Sequence, residues 1–481
     1  MRKRLCRAGL AAGVFAAAAL AVLSLAACGP EAGFQPLSLD GTAAKGAVKL
    51  EEKAPSGVER LNVLVKGGLT PERLAELSTF GAIKDTIPEL GAVMLQGKGL
   101  SASRLLALPY VVAANPDAER STGPVAPLEA ADLSSGISTW DQDAINVTDF
   151  GAGRVAAYDG NGVYVAVLDT GLVDGWERYF PVERIAVEYA MSLGGGGGEN
   201  GAVSEQPNKW EHDQNSHGTH VTSSILGYWN GAIEVNGAAP LAKVIPVKVL
   251  NQNGSGWSSV IARGIIEVAN LKLGALKDSP VVINMSLGGP SLDAVEKAAI
   301  DYAIQAGVII VASAGNEGTA GMGYPGAYAP VISVAASGWT GEWTQAGWWR
   351  NLDVADPLDP EDFYIADFSS RALTGQDLDV AAPGSWIVGP YQVNGQASFY
   401  YLGGTSMASP HVAGVVALLC EKEPALTQAQ AETVLEGTAL YLAPGSRTIY
   451  GSSGIAEVVS WGADATGAGL VDAEAALAAL P

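Results

Sequence analysis

Four runs of the chain are apolar on both faces of a strand, and stretches with helical periodicity separate them. A strand that is apolar throughout must be covered on both sides, which happens in a parallel sheet with helices against each face. This alternation predicts an α/β fold from Trp140 onward, a parallel sheet in three layers. The apolar runs are 163–171, 243–250, 281–289 and 308–316, and the helical stretches include 258–276 and 291–307.

Sheets of this kind bind ligands beyond the carboxyl ends of their strands, so polar residues there are candidates for chemistry. One strand ends in Asp169 and another in Asn316. "DQNSHGTHVTSSIL" places His217 at the start of a helical pattern, and "GGTSMASPHVAG" places Ser406 just before an apolar helix. Each segment alone is more often structural than catalytic. Together they provide a nucleophile, a base, an orienting carboxylate and an oxyanion donor, which acyl transfer from an amide requires.

From Trp140 to its end the chain resembles the subtilisin-like serine proteases. "VLDTG", "NSHGTHV" and "GTSMASPHVAG" stand in that family's order, and "VINMSLGG", "ASAGNEG" and "GAGLVDAEAA" match as well. The order Asp, His, Ser is the subtilisin order. The resemblance implies a serine endopeptidase that needs no cofactor for catalysis. It assigns Asp169, His217 and Ser406 to the triad and Asn316 to the oxyanion hole.

The position of Ser406 accounts for the small residues around it. At a helix N-terminus its own backbone N–H and the helix dipole would stabilise the oxyanion. Gly403 and Gly404 would let an extended substrate lie close, and Pro410 falls near the first turn, where a missing N–H costs least. We interpret His411 as structural, because His217 has the better motif for a general base.

The resemblance also predicts a substrate groove. Residues 254–256 and 286–288 would clamp an extended peptide by backbone pairing. Gly323 at the floor of the pocket for the residue before the cleaved bond leaves room for large apolar or aromatic side chains. Glu317 near its mouth would tolerate a basic one, so we expect broad specificity. The predicted substrate-binding residues are Gly254, Ser255, Gly256, Ser286, Leu287, Gly288, Ala314, Gly315 and Gly323.

The N-terminus indicates export. Residues 1–27 are basic, then apolar, then small, as in a signal peptide, and "LAAC" resembles the bacterial lipoprotein box. This predicts lipidation of Cys28 and a chain that is anchored at the cell envelope or released outside; a cleaved signal without lipid is the alternative. Residues 28–57 suit a tether. Cys6 leaves with the signal and Cys420 sits in an apolar helix, so no disulfide is expected.

The charge balance limits the partners. Four of the 28 basic residues lie in the signal, so the mature chain carries 24 basic against 50 acidic residues, a net charge of −26. Such a surface repels nucleic acid and anionic lipid. We therefore expect protein or peptide substrates, no nucleic-acid partner, membrane contact only through a lipid anchor, and a monomer.

Residues 58–118 have the pattern of a small β/α domain of ferredoxin-like kind. "RLNVLVKG", "GAVMLQGK" and "YVVAANPD" are predicted strands, and "SASRLLAL" is a predicted helix. "TPERLAELSTFG" is a helix with a Thr N-cap and Pro at its first position. The domain resembles the prodomains that inhibit this family and template its folding. Residues 119–139 would then be a linker and processing region, and residues 140–481 the peptidase domain.

Two segments depart from the compact family pattern, and a third matches it loosely. Residues 192–213 form a glycine-rich insertion, and residues 338–367 an insertion with four tryptophans. We interpret the second as a subdomain that packs its own aromatics, the alternative being a lid over the substrate. Residues 227–237 occupy the place of a family calcium loop, which predicts a structural calcium ion at Asn230, on a loose match.

Three other functions compete with this interpretation. An aspartic protease also uses Asp-Thr-Gly but needs two copies in an all-β fold, and this chain has one in an α/β setting. A zinc hydrolase built from His212, His217 and His220 would use an unfamiliar ligand spacing. A non-catalytic, surface-binding lipoprotein with a subtilisin-like fold is the third, because a fold does not fix a function.

Overall fold

The computed structural model describes residues 59–121, 128–129, 138–194, 208–230 and 233–481. The predicted signal peptide, Cys28 and the tether lie outside these residues. In the described part of the chain, no helix has both the length and the apolar character needed to span a membrane.

The first described segment is a small domain with a four-stranded antiparallel sheet in the order β2-β3-β1-β4. Leu77 and Leu105 of its two helices share one apolar core with the sheet. This is the ferredoxin-like arrangement that the sequence predicts. The sequence pattern missed β2, in which only Ile87 is buried. The elements are β1 Glu59–Val65, α1 Pro71–Ser78, β2 Ala82–Ile87, β3 Ala92–Gly97, α2 Ala102–Leu106 and β4 Val111–Pro116.

The chain then enters the larger domain, in which strands and helices alternate as predicted. The four apolar runs of the sequence are β9, β13, β15 and β16. The elements up to residue 313 are β5 Glu119–Ser121, β6 Leu128–Glu129, α3 Trp140–Asp143, β7 Thr148–Asp149, β8 Gly153–Arg154, β9 Tyr164–Asp169, β10 Met191–Ser192, α4 His217–Leu226, β11 Gly227–Asn230, β12 Ile233–Asn236, β13 Lys243–Lys248, β14 Ser255–Trp257, α5 Ser258–Leu273, β15 Val281–Met285, α6 Ala294–Gln305 and β16 Val308–Ser313.

The rest of the chain completes the central sheet and covers it. The elements are β17 Ile332–Trp339, α7 Trp348–Asn351, β18 Phe363–Ile365, β19 Val380–Pro383, β20 Ile387–Val393, β21 Gln396–Leu402, α8 Thr405–Lys422, α9 Gln428–Thr438, β22 Gly445–Tyr450, β23 Ala456–Trp461 and α10 Ala473–Ala479.

The central sheet has eight strands in the order β10-β13-β9-β15-β16-β17-β18, with β19 also paired to β17. All neighbours are parallel except β18, which runs antiparallel to β17. The sheet is therefore mixed, and not purely parallel as predicted. The antiparallel strand lies within the insertion at residues 338–367, so the periodicity of the main β/α units does not reveal it.

Helices cover both faces of this sheet. One face shares an apolar core with α5 and α6, through residues such as Leu168, Ile283 and Ile310. Val167 and Val311 are also buried and, by strand alternation, face the other side. Helix α8 contacts β15, β16 and β17 there. The three-layer α/β fold predicted from the sequence is confirmed.

The insertion at residues 338–367 packs its tryptophans into an aromatic cluster. Trp348 stacks on Tyr401 with ring centroids 5.9 Å apart, and Trp339 stacks on Trp140 at 6.2 Å. Trp348 and Trp349 are almost fully buried. These contacts favour the interpretation as a packed subdomain over a lid, because the aromatic side chains of a lid would be available to contact a substrate. Of the other insertion, 192–213, residues 195–207 lie outside the described part.

Candidate active site

Asp169 and His217, predicted from distant motifs, meet at the carboxyl edge of the sheet. Asp169 is the last residue of β9 and His217 the first of α4. Nδ1 of His217 lies 2.8 Å from Oδ1 and 2.9 Å from Oδ2 of Asp169, and both side chains are fully buried. A carboxylate at this position holds the proton on Nδ1, so that Nε2 carries the lone pair. Asp169 thus holds the imidazole through Nδ1, and Nε2 lies on the other side of the ring.

A glycine allows α4 to begin so close to β9. A Cβ on Gly218 would lie 2.4 Å from the carbonyl oxygen of Gly171 and 3.2 Å from the Cβ of Asp169. The N–H of Gly218 donates to Thr170 Oγ1 at 2.9 Å, and this hydroxyl donates to Asp213 at 2.6 Å. From these motifs the sequence analysis identified only the aspartate and the histidine. It missed Thr170 and Gly218, although they lie in the same motifs.

Ser406 is the second residue of α8, an 18-residue helix, as the sequence predicts. Its Oγ donates to the carbonyl oxygen of Ser286 at 3.2 Å. Among the described residues, Nε2 of His217 is buried and has no hydrogen-bond partner. Helices α4 and α8 pack against each other. A bond between serine and histidine commonly tightens only when substrate is bound.

Pro410 affects the start of this helix in a way that the sequence analysis did not foresee. It is the sixth residue of α8, beyond the first four, whose N–H groups have no acceptor in the helix. Its missing N–H therefore leaves the carbonyl of Ser406 without its helical donor. Ser286 Oγ donates to that carbonyl at 2.7 Å. Asn284 Nδ2 in turn donates to Ser286 Oγ at 3.0 Å, and Ser409 Oγ donates to Asn284 Oδ1 at 2.7 Å.

Asn316, the predicted oxyanion donor, is held against the same helix. Its Oδ1 accepts two hydrogen bonds from Thr405, from the backbone N–H and from Oγ1, both at 2.9 Å. The N–H of Gly315 donates to the same hydroxyl at 3.1 Å. Because Oδ1 is held by the residue that precedes Ser406, Nδ2 is the end of the amide that can donate to an oxyanion.

Two of the other histidines are buried and structural. His411 Nε2 lies 2.9 Å from Asp141 Oδ2, and its Nδ1 lies 2.7 Å from the carbonyl oxygen of Met407. This agrees with the structural role predicted for His411. Burial, with the charge on nearby His217, lowers the pKa of His220 to about 3, so His220 is neutral.

The histidines give no support to a zinc site. His212 is exposed and bonds to Asp174, while His217 Nδ1 is taken by Asp169. In the described ranges, the one group of acidic or metal-binding side chains close enough to share a cation contains no histidine. It consists of Asp143, Asp149 and Asp353.

Within the stretch predicted to bind calcium, residues 227–237, the described residues include two paired strands, Gly227–Asn230 and Ile233–Asn236. Strand β11 pairs antiparallel with β12, and Asn230 lies opposite Ile233. The only carboxylate of this stretch, Glu234, is exposed. Asn230 as a calcium ligand stays a prediction.

The predicted substrate clamp holds a strand of the chain itself. Strand β5 pairs antiparallel with β14, with Ser121 opposite Ser255 and Arg120 opposite Gly256. On its other side, the Ser121 N–H donates to the Gly288 carbonyl at 3.1 Å, and the Gly288 N–H donates to the Ser121 carbonyl at 3.2 Å. Both segments thus make the backbone pairing predicted for a substrate. Residues 119–121, assigned to the linker by sequence, form a strand in the groove.

The remaining predicted groove residues lie around this strand. Gly254 has φ +74° in the turn that enters β14, a conformation that favours glycine. Leu287 is almost fully buried, and its carbonyl accepts a hydrogen bond from Ser313 Oγ at 3.3 Å. Gly254 thus precedes the strand on one side of β5, and Leu287 precedes Gly288 on the other side.

The predicted pocket residues also come together. The Gly323 N–H donates to the Ala314 carbonyl at 2.8 Å. Glu317 closes one side: a Cβ on Gly315 would lie 2.5 Å from its Oε2, and Ser370 Oγ donates to that oxygen at 3.1 Å. Ser370 is a wall residue that sequence reasoning missed, since its segment has no motif of its own.

The small domain docks on the N-termini of α5 and α6. Asp117 accepts hydrogen bonds from the Ser259 N–H at 3.1 Å and from Ser259 Oγ at 2.8 Å, at the start of α5. Asp293, the N-cap of α6, accepts from Asn62 at 2.9 Å and from Asn115 at 2.7 Å. Carboxylates at helix N-termini complement the helix dipole. Ile87, Ala92 and Met94 of the small domain complete the apolar core around α5 and α6.

Comparisons with known proteins agree with this architecture. A sequence profile of the subtilase family matches residues 160–462. The thermostable alkaline protease of Halalkalibacterium halodurans is 36% identical over 293 residues, which cover 61% of this chain and 66% of that protein. The subtilisin of Bacillus pumilus is 36% identical over 298 residues, 61% of this chain and 89% of that protein. For subtilisin E of Bacillus subtilis the identity is 36% over 61% of this chain and 64% of that protein.

Two solved structures share the fold. Fervidolysin from Fervidobacterium pennivorans, described as a keratinolytic enzyme related to subtilisin, has a TM-score of 0.62 at 24% identity, covering 88% of this chain and 61% of that one. Sphericase has a TM-score of 0.52 at 28% identity, covering 71% of this chain and 99% of that one.

Proposed function

We propose that this chain, which belongs to the subtilase family, is a serine endopeptidase that cleaves peptide bonds with Asp169, His217 and Ser406. The observation that carries the proposal is the buried pair of Asp169 and His217, with Nδ1 at 2.8 Å from the carboxylate, beside the helix whose second residue is Ser406. The alternative, a non-catalytic surface-binding lipoprotein, has no such observation in its favour.

The chemistry follows from the roles of these groups. Ser406 Oγ attacks the scissile carbonyl carbon while Nε2 of His217 takes its proton, and Asp169 stabilises the resulting imidazolium. The Ser406 N–H and Asn316 Nδ2 donate to the oxyanion. When the intermediate collapses, His217 protonates the leaving amine. Water then hydrolyses the acyl-enzyme by the same steps in reverse order, with His217 again as the base.

The small domain is proposed to be an intramolecular inhibitor, which makes the full chain a zymogen. Strand β5 occupies the groove between β14 and Gly288, so a substrate strand cannot pair there while β5 remains. Processing within residues 119–139, after β5, would separate the inhibitor from a peptidase domain that begins near Trp140.

The pocket supports a preference for large apolar or aromatic residues before the cleaved bond. Gly323 and Gly315 carry no side chain into it, and Glu317 lies at its side. The substrates are proposed to be proteins or peptides. The predicted signal, with Cys28 as lipid acceptor, favours action at the cell envelope or outside the cell.

One labelling experiment tests the central proposal. The purified full-length chain is incubated until processing stops, and a fluorophosphonate probe is added. We expect the probe on Ser406 and peptide cleavage that pepstatin and chelators leave intact. The Ser406→Ala variant should remain an unprocessed, unlabelled precursor. Normal processing and cleavage in that variant would rule out Ser406 as the nucleophile.

A further inference from the structure

The side chain of Arg120 is completely buried beside the groove. It lies in β5, and both it and its partner Glu296 have 0% exposed side chains. Arg120 Nε donates to Glu296 Oε1 at 3.1 Å and Nη2 donates to Glu296 Oε2. Nη2 also donates to the Ser291 carbonyl at 3.0 Å, and Nη1 to the carbonyl of Glu119 at 3.1 Å. This is a bidentate arginine–carboxylate pair, the strongest common form of charged hydrogen bond.

The acceptors of this pocket belong to the larger domain. Glu296 is the third residue of α6, and Ser291 lies in the segment before that helix. Gly289 makes room for the strand: a Cβ there would lie 2.4 Å from the Glu119 carbonyl oxygen and 2.9 Å from Arg120 Nη1. When β5 leaves, the pocket retains the Glu296 carboxylate and the Ser291 carbonyl but no longer contains the guanidinium group of Arg120. An enclosed carboxylate without a partner is unfavourable, so a basic side chain is the favoured occupant.

The strand register fixes which substrate residue would enter the pocket. Ser121 pairs with Gly288. In a substrate strand with the same antiparallel register, the residue two positions after the one opposite Gly288 would lie opposite Ser286. The Ser286 carbonyl accepts the hydrogen bond of Ser406 Oγ, which places that later residue at the nucleophile. In this register, the peptide residue whose carbonyl is attacked lies at Ser406. The residue three positions before it would enter the Glu296 pocket.

Among the groups around Glu296, Arg120 is the one that stabilises its charged form. Burial raises the pKa of Glu296, as do the charges of Asp293 and Asp117, while Arg120 acts against the shift. Asp293 remains with the larger domain as the N-cap of the same helix. The neighbouring cation on that helix, Lys297, is already paired with Asp301 at 2.7 Å. Lys297, the one basic residue of α6, is therefore not available to replace Arg120 at Glu296.

We propose that Glu296 and the Ser291 carbonyl form a subsite that selects arginine, and lysine less well, at the fourth residue before the cleaved bond. The subsite rests on the proposed endopeptidase function and narrows its expected broad specificity. Arginine is preferred because its planar fork matches both carboxylate oxygens, whereas lysine offers a single charged end.

Cleavage of matched peptides tests the subsite without any mutation. The full-length chain is matured as above, and kcat/KM is measured on quenched peptides that differ only in the fourth residue before the bond: Arg, Lys, Met or Glu. We expect the order Arg, Lys, Met, Glu, with Arg about 10- to 100-fold above Met. The Arg advantage should shrink with added salt. Equal values across the series would overturn the subsite.

Variants then assign the preference to Glu296. Glu296→Gln should bring the Arg-to-Met ratio of kcat/KM close to one. Glu436→Gln, at an exposed position of α9, makes the same chemical change away from the groove and should keep the wild-type ratio. If Glu296→Gln prevents folding of the precursor by leaving Arg120 unpaired, the double variant Arg120→Met, Glu296→Gln removes both charges and yields the same processed enzyme.

The outcomes separate the two proposals. A wild-type ratio retained in the Glu296 variants would overturn the role of Glu296. Fluorophosphonate labelling and cleavage without any preference at this position would reject the subsite and leave the endopeptidase function standing. Neither labelling nor cleavage of any peptide would overturn the endopeptidase function, and the subsite with it.

Discussion

Ser286 and Ser406 exchange hydrogen bonds in both directions. Ser286 Oγ donates to the Ser406 carbonyl at 2.7 Å, and Ser406 Oγ donates to the Ser286 carbonyl at 3.2 Å. The first bond supplies the donor that Pro410 lacks. The second holds Ser406 Oγ beside the segment that pairs with β5. The segment after β15 is therefore tied directly to the start of α8.

Ser286→Ala should destabilise the protein because it leaves the buried Ser406 carbonyl without a donor. We expect a loss of about 1–3 kcal/mol in the free energy of unfolding. Urea unfolding on a Ser406→Ala background, which prevents self-digestion, measures it. Ser446→Ala, at an exposed position of β22, is the control and should change the free energy by less than about 0.5 kcal/mol. Equal stability of the two variants would contradict the argument.

Asn316→Ala should reduce turnover by about 10²–10³-fold with little change in KM, the loss known for the oxyanion donor of subtilisin. The reason is that an oxyanion donor acts in the transition state and not on bound substrate. Steady-state kinetics on one peptide measures both constants, and Asn161→Ala at an exposed position is the control. A rise in KM with unchanged turnover would show that Asn316 binds substrate instead.

Residues 58–121 supplied as a separate fragment should inhibit the mature enzyme, and more tightly than residues 58–118. The longer fragment retains β5 and the bidentate contact of Arg120 with Glu296. We expect an inhibition constant at least about tenfold lower, since a buried charged pair is lost in the shorter one. Indistinguishable constants would mean that docking on α5 and α6 alone provides the affinity.

A fragment beginning at Trp140 should refold poorly unless the small domain is supplied. Its parallel strands join distant parts of the chain, which makes the folding barrier high. Refolding yield is measured as recovered peptidase activity with and without residues 58–121. Equal recovery in both cases would leave the small domain with no part in folding.

The free energy of unfolding should fall as pH rises from about 5 to 8. Burial raises the pKa of Glu342 to about 8 in the folded state. A carboxyl with a raised folded pKa stabilises the fold below its unfolded pKa, and this contribution is lost as pH rises through the folded pKa. Glu342→Gln, which mimics the protonated form, should reduce the slope by up to about 1.4 kcal/mol per pH unit. Glu361→Gln, at an exposed carboxylate, should leave it unchanged.

Cys28→Ser should abolish lipid attachment, because the lipoprotein box acts only through its cysteine. Mass determination of the mature chain shows the lipid, and detergent partitioning shows the shift to the aqueous phase. Unchanged partitioning would contradict the anchor. Cys420 does not compete for the modification, since it is buried and burial raises the pKa of its thiol to about 12.

Local periodicity and short motifs were enough to predict the core of this protein. Four apolar runs predicted strands of the central sheet, because a strand that is buried on both faces consists mainly of apolar residues. Asp169, His217, Asn316 and Ser406 were identifiable because each stands in a compact motif at the end of a strand or the start of a helix. The predicted ferredoxin-like domain follows from the same kind of pattern.

Only the tertiary structure decided the rest. The edge strand Ala82–Ile87 buries only one residue and the antiparallel strand Phe363–Ile365 has only three residues, so pairing with a neighbour defines both strands more than their own sequence pattern does. Arg120 and Glu296 lie 176 residues apart, one in a segment without secondary-structure signal and one on an ordinary helix. The pairing of Arg120 with Glu296 depends on where β5 crosses the groove. Long-range packing determines that position, and no local sequence pattern predicts it.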